Sequence, residues 1–264
     1  MLASFRARYS DNIIIFIVFV LSCLLSPTVY AFKPSKEIVF CYENKSFPPH
    51  FLGESLIVPK ENPGATIDIL RELDKRIENI HFKFIRQPWS RCLKSLKEGA
   101  VTLVVGSYSD ERASYGTYPL SSDGIPDQLM AFDYLATCLI KRKGSELNWD
   151  GKRINGSASP SAAIPYGYAV NDTLSKLGFL VYETKSLEVA YQMVKSMRVT
   201  ASIIDCASKD IPSFVELIKT PIREHYGYLI ISKHFYDAQP EISKEIWRKL
   251  AEIDKKSFNQ KYLN

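Results

Sequence analysis

Between residues 37 and 105 the chain alternates two hydrophobic periods, and this alternation restricts the fold more than any composition figure. Residues 37–42 (EIVFCY) form a short β-branched and aromatic run. After a Pro-rich loop and Gly64, Ile67, Leu70, Leu73 and Ile77 recur at helical spacing, which predicts a helix over about 66–78. Residues 81–85 (HFKFI) read as a second strand. Pro88 then opens a helix with Trp89, Leu93 and Leu96 on its apolar face, and Gly99 closes it. Residues 101–105 are a third short apolar strand. Strand, helix, strand, helix, strand predicts a parallel sheet with right-handed crossovers.

The rhythm stops at residues 121–126 (SSDGIP) and resumes further on. A long alternating stretch, 130–141, leads into a strand near 162–164, a helix over 168–177 closed by Gly178, and a strand at 179–182. A helix over 186–197 follows, with Ala190, Met193, Val194 and Met197 on one face, then a strand 199–204 that ends at Asp205. The chain returns through 218–221 to a strand at 226–232. The last expected element is a helix opened by Pro240, with Ile242, Ile246, Leu250 and Ile253 on one face. The pattern implies two α/β lobes, residues 32–125 plus 226–264 forming lobe 1 and 126–225 forming lobe 2. The segments near 124–134 and 218–226 are then the hinges. Ligands of open α/β sheets sit beyond the carboxyl ends of the strands, so a site is expected in the cleft between the lobes.

The N-terminus stands apart from this pattern. Arg6 and Arg8 precede an apolar run over 13–25, and Val29-Tyr30-Ala31 supplies a small-residue cleavage signal, the three parts of an export leader. The expectation is a signal peptide over 1–31 and a periplasmic protein. The run is short of the roughly 20 residues a membrane span needs. Val20-Leu21-Ser22-Cys23 loosely resembles a lipobox, but the apolar residues after Cys23 argue against lipidation. Without the leader the net charge is about +4, with both signs interspersed, so nucleic acid is a poor partner. Cys41, Cys92, Cys138 and Cys206 remain, and in an exported chain four cysteines suggest disulfides with three possible pairings. Cys41 with Cys92 and Cys138 with Cys206 is the pairing that keeps each bridge within one lobe; free buried cysteines are the alternative.

Two strand ends carry the chemistry. The strand at 101–105 runs into Ser107-Tyr108-Ser109-Asp110-Glu111-Arg112, where hydroxyls, backbone N–H groups and a guanidinium fork suit a carboxylate. The strand at 199–204 runs into Asp205 from the other lobe. At this point the chain resembles a bacterial periplasmic solute-binding protein of the type II fold, in the polar amino acid (family 3) group. The resemblance rests on Phe47-Pro48-Pro49 after the first strand, on Gly64-Ala-Thr-Ile-Asp-Ile-Leu70, and on Ser95-Leu-Lys-Glu-Gly99. The run Ser107 to Arg112 with Tyr118-Pro119 completes it.

The resemblance implies roles. Arg112 would pair with a ligand carboxylate, Ser107 would add a hydroxyl donor, and Asp205 would take an ammonium group. Phe47 and Trp89 would sandwich the aliphatic part, and Glu43 and Asn44 would read the distal group. In place of the family's small hydroxyl residues at the start of the second lobe's first helix, this chain has Pro165-Tyr-Gly-Tyr168-Ala-Val170. Tyr168 would fill space there and reshape the cavity, which opens the ligand to other carboxylates, amines or aromatic solutes. The implied partner is a small-molecule ligand, an amino acid or other carboxylate, passed to a membrane permease or reported to a sensor; no cofactor is implied.

Each residue also fits a structural role. Arg112 fits an ion pair with Asp110 or Asp123, Asp205 a turn cap, and Phe47 and Trp89 plain core. An enzyme is the rival class, because the same fold carries dehydratase activity. His50, His81, His225 and His234 have no metal-ligand spacing, and neither a Gly-x-Ser-x-Gly nor a His-Glu-x-x-His occurs. The expectation is therefore a binding protein and not an enzyme.

Overall fold

The computed structural model describes residues 36–263, so the leader expected over 1–31, with Cys23, lies outside the described residues. The first half contains β1 (Lys36–Glu43), α1 (Ala65–Asp74), β2 (Ile80–Gln87), α2 (Trp89–Lys97), β3 (Leu103–Ser107), the single turn α3 (Asp110–Ala113) and β4 (Gly116–Thr117). Then come β5 (Asp133–Arg142), the small ribbon β6 (Asn148–Trp149) and β7 (Ile154–Asn155), β8 (Ser161–Pro165) and α4 (Asn171–Lys176). They are followed by β9 (Leu180–Thr184), α5 (Leu187–Lys195), β10 (Ala201–Asp205) and the long β11 (Val215–Ser232). Three helices end the chain: α6 (Lys233–Ala238), α7 (Pro240–Ala251) and α8 (Lys255–Leu263).

One sheet runs through the whole unit in the order β2-β1-β3-β11-β5-β10-β8-β9. The strands at each end pair parallel, β1 with β2 and β3 on one side, β8 with β10 and β9 on the other. Between them β11 pairs antiparallel with β3 and β5, and β5 antiparallel with β10. This is a two-lobed α/β fold in which the crossover segments are themselves strands.

Strand alternation divides the core by face. Ile38, Phe40 and Tyr42 of β1 join Leu229 and Ile231 of β11 under α1 and α7, where Leu70, Leu73, Ile246 and Leu250 complete the cluster. Cys41, Val104, Tyr228 and Ile230 point to the opposite face, against Cys92 and Leu96 of α2. The far half repeats the arrangement, with Leu139, Ile164 and Ile203 on one face and Cys138, Ile140 and Ala163 on the other. At the start of α1 the backbone turns at Gly64 with φ +105, and an added Cβ would lie 2.3 Å from the His50 carbonyl oxygen. Only glycine fits there.

Both disulfides are present in the within-lobe pairing. Cys41–Cys92 ties β1 to α2 with Cα atoms 5.6 Å apart, and Cys138–Cys206 ties β5 to the end of β10 with Cα atoms 5.0 Å apart.

Several element bounds differ from the sequence expectation for local reasons. The third strand begins two residues later than expected, because the Val101 amide still donates to the Ser95 carbonyl at the end of α2. The helix expected over 168–177 shortens to α4, since residues 166–170 form turns between β8 and α4. The segments expected separately at 218–221 and 226–232 are one strand, β11, with its register interrupted between Ile218 and Arg223, around Pro221. The helix at Pro240 is not the last element: α8 follows, held to α1 where Lys261 and Tyr262 reach Asp68 at 2.8 and 2.6 Å.

Candidate ligand-binding cleft

Where the ends of β1, β3, β8 and β10 converge over the crossover strands, a cleft opens, walled mainly by apolar surface. Seven of the eight residues singled out from the sequence line it: Glu43, Phe47, Trp89, Ser107, Arg112, Tyr168 and Asp205. Asn44 does not.

Arg112 is held in place by the protein's own groups. It sits on α3, which Ser109 caps by accepting the Arg112 amide at 3.3 Å. Its side chain is only 4% exposed. Nη1 donates to the Ser107 carbonyl at 2.8 Å and to Ser107 Oγ at 3.3 Å, and the guanidinium lies 5.5 Å from the Trp89 ring. Nη2 reaches across the cleft to the Gly167 carbonyl. Neither Asp110 nor Asp123 forms the surface ion pair weighed for it; Asp110 instead accepts from Tyr108 Oη at 3.1 Å.

Two further contacts bridge the cleft. Trp89 Nε1 donates to the same Gly167 carbonyl at 3.3 Å, and Tyr168 Oη donates to Glu43 Oε2 at 3.0 Å. The tyrosine that departs from the family pattern is thus one side of a contact between the lobes. Burial pushes the Glu43 carboxyl above its ordinary range, and the Tyr168 hydrogen bond offsets that only in part. Tyr168 is itself raised by burial and by the neighbouring Glu43.

Asp205 combines both sequence readings, because its Oδ1 accepts the Ala207 amide at 2.7 Å while the residue lines the cleft. The adjacent Cys206 fixes this strand end to β5. On the other lobe Cys41 lies two residues before Glu43, and Cys92 lies one helical turn after Trp89. Each disulfide therefore anchors two elements that carry cleft residues.

The floor comes from alternate residues of the crossover strands. Asp133, Leu135 and Thr137 of β5 stand opposite Gly227, His225 and Arg223 of β11, and all six line the cleft. Sequence reasoning missed Arg223, His225, Asp133 and His50; only the period-two spacing 133/135/137 and 223/225/227 could have pointed to the floor. His50 Nδ1 lies 3.4 Å from Asp133 Oδ2, and burial raises the Asp133 carboxyl while His50 opposes the shift. The His225 imidazole is pushed down to about 4 by burial, with Arg223 and Arg112 adding to it. Asp133 Oδ1, His225 Nδ1 and Thr66 Oγ1 are buried in the cleft lining without a hydrogen-bond partner. Among the described residues no group of three His, Cys, Asp or Glu side chains is placed to hold a metal ion.

Set beside known proteins, the chain matches no protein-family model and no curated protein. Its fold, however, is widely shared among solved structures. A Streptococcus mutans structure, described as the molecular basis of glutathione import via GshT and the cystine ABC importer TcyBC, superposes with a TM-score of 0.67 at 16% identity. That match covers 87% of this chain and 95% of the other. A Salmonella typhimurium periplasmic binding protein described for its high arginine specificity gives 0.64 at 15% identity, over 87% and 100% of the two chains. An ancestral amino acid-binding protein, described as a precursor of cyclohexadienyl dehydratase, gives 0.61 at 13% identity over 86% and 96%. The fold is that of the two-lobed, type II periplasmic binding proteins, the class the sequence motifs resemble. Its similar structures include amino-acid-binding proteins of ABC transporters.

Proposed function

We propose that this chain is an extracytoplasmic solute-binding protein that captures a small carboxylate-bearing solute, an amino acid or a related compound, for an ABC-type importer. The carrying observation is the polarity of one cleft: Arg112 from one lobe and Asp205 from the other line the same cavity. A zwitterion needs opposite charges on opposite sides, and dividing them between lobes makes closure depend on the ligand. Ser107 adds a hydroxyl beside Arg112, and Phe47 and Trp89 supply apolar walls. The leader-like N-terminus supports export to the periplasm, and among the described residues no helix is long and apolar enough to cross a membrane.

Replacing Arg112 with Ala tests the assignment. Loss of a buried, hydrogen-bonded charge costs binding about 2–5 kcal/mol, so calorimetry should find carboxylate binding abolished or reduced by roughly 30-fold or more. Because the guanidinium also satisfies the Ser107 and Gly167 carbonyls, the melting point should fall as well, by the equivalent of about 1–3 kcal/mol. Unchanged affinity for a solute that binds the wild type would remove Arg112 from the site. A thermal-shift screen of amino acids, small carboxylates and polyamines would find that solute, since ligand well above its Kd raises the melting point. Product formed in the same mixtures would favour a dehydratase-like enzyme, and a receptor partner in place of a permease would make the protein a sensor.

A further inference from the structure

The cleft contains a second guanidinium that the sequence motifs do not account for. Arg223 projects from β11 into the same cavity, two residues from His225 on the same face of the strand. Among the described residues it makes no ion pair within bonding reach, and its one hydrogen bond is a long contact, 3.5 Å, to the Tyr108 carbonyl. Arg112 differs, because its Nη1 and Nη2 already donate to Ser107 and Gly167. Two permanently charged groups facing one partly buried cavity repel each other: burial first, and Arg112 after it, lower the affinity of Arg223 for its proton, and the Asp172 carboxylate, with no salt bridge to Arg223, opposes them. Such a pair is costly unless an anion offsets it. Beside Arg223, His225 Nδ1 is buried and unpartnered, and Thr137 stands directly across from Arg223 on β5.

We infer that Arg223 is a second anion seat, so that the solute carries two acidic groups, one held at Arg112 and the other at Arg223, as in a dicarboxylic amino acid. The inference rests on the solute-binding reading and narrows it. The first acid group completes the donors left on Arg112. The second fills the fork of Arg223, within reach of a neutral His225 in its Nδ1–H tautomer. Asp205 then takes the ammonium group. A solute ending in a neutral amide leaves Arg223 facing an uncharged acceptor and forfeits the charge-assisted bonds.

The test pairs solutes that differ only in the second charge. Calorimetry on the wild-type protein would compare L-aspartate with L-asparagine, L-glutamate with L-glutamine, and L-alanine and L-2-aminoadipate as the short and long extremes. One of the diacids should bind at least roughly 30-fold more tightly than its amide or than alanine. Arg223→Gln should erase that preference while keeping weak binding, and Arg112→Gln should weaken acid and amide alike. A circular-dichroism melt of each variant checks folding, and Arg223→Lys, which keeps charge without the fork, should retain part of the preference. Tighter binding of an amide or of alanine than of every diacid, or a diacid preference that survives in folded Arg223→Gln, would overturn the second seat and leave the solute-binding reading standing. No heat from any of these solutes with folded wild-type protein would overturn the second seat for a dicarboxylic amino acid, while the solute-binding reading itself falls only if the wider thermal-shift screen also finds no solute.

Discussion

The two arginines of the cleft sit in regions built on different principles. The Arg112 wall is satisfied by the protein itself: Ser109 caps its short helix, Ser107 and Gly167 accept its protons, and Trp89 covers its face. The floor around Arg223 is the reverse, with a long single contact on Arg223 and orphaned atoms on His225 and Asp133. Buried polar groups are normally paired, and unpaired ones cost stability. On the proposed function, a wall held mostly by the protein's own groups would position the solute, whereas a floor with unpaired groups would gain most from it. The difference teaches that Arg112 has a place in the fold whatever its part in the proposed site, whereas the proposed site is what would give Arg223 a use.

The widest break in this contrast would come from loosening the built wall. Cys41–Cys92 closes a loop of 51 residues between β1 and α2, the elements that carry Glu43 and Trp89. Removing it by Cys41→Ala with Cys92→Ala should cost about 4 kcal/mol on the loop-entropy account. In a domain of this size that lowers the melting point by about 10 °C. Reduction of the wild type, which also opens Cys138–Cys206, should give at least as large a drop, and a melt unmoved by either treatment would show that packing of α2 alone holds the wall.

How far the sequence exposed each region follows from the same contrast. Arg112 and Ser107 lie five residues apart at a strand end, and a local motif of hydroxyls and a guanidinium is visible without knowing the fold. Asp205 was visible because it ends an apolar strand, and the cysteine pairing because it followed from the lobes. Arg223, His225 and Asp133 were hidden, because facing on a crossover strand depends on register, and a slip of one residue sends every side chain to the other face. The irregularity between Ile218 and Arg223 worsened this by splitting β11 into two apparent pieces. The final helix escaped for another reason: KKSFNQKYL has no clear apolar stripe, and its contacts to Asp68 are polar.

A smaller effect should come from the contact between the lobes at Tyr168. Tyr168→Phe removes the hydroxyl that donates to Glu43 and leaves a buried carboxyl without that partner. A hydrogen bond contributes about 0.5–1.5 kcal/mol net, so the contact between the lobes should lose roughly two- to tenfold in its equilibrium with forms that lack it. Small-angle scattering of the ligand-free variant should then show a larger radius of gyration than the wild type. Equal radii would mean that Gly167, shared by Arg112 and Trp89, is enough to hold the lobes together.

The finest probe of the unfinished floor is the titration of His225. Its folded value, about 4, lies below the ordinary 6.5, because burial and then the two arginines disfavour the imidazolium. As the pH falls, the unfolded chain takes up this proton first, so the stability tied to a neutral His225 is present above pH 6.5 and is lost on the way down to about 4. His225→Asn should flatten that part of the melting-point profile. Arg223→Gln should move the imidazole resonance toward a higher titration midpoint, and an anion bound at Arg223 should do the same by neutralising its field. If the wild-type imidazole titrated near 6.5 and ignored Arg223→Gln, the guanidinium would have to point away from the floor, and the contrast between the two arginines would fail at its weaker end.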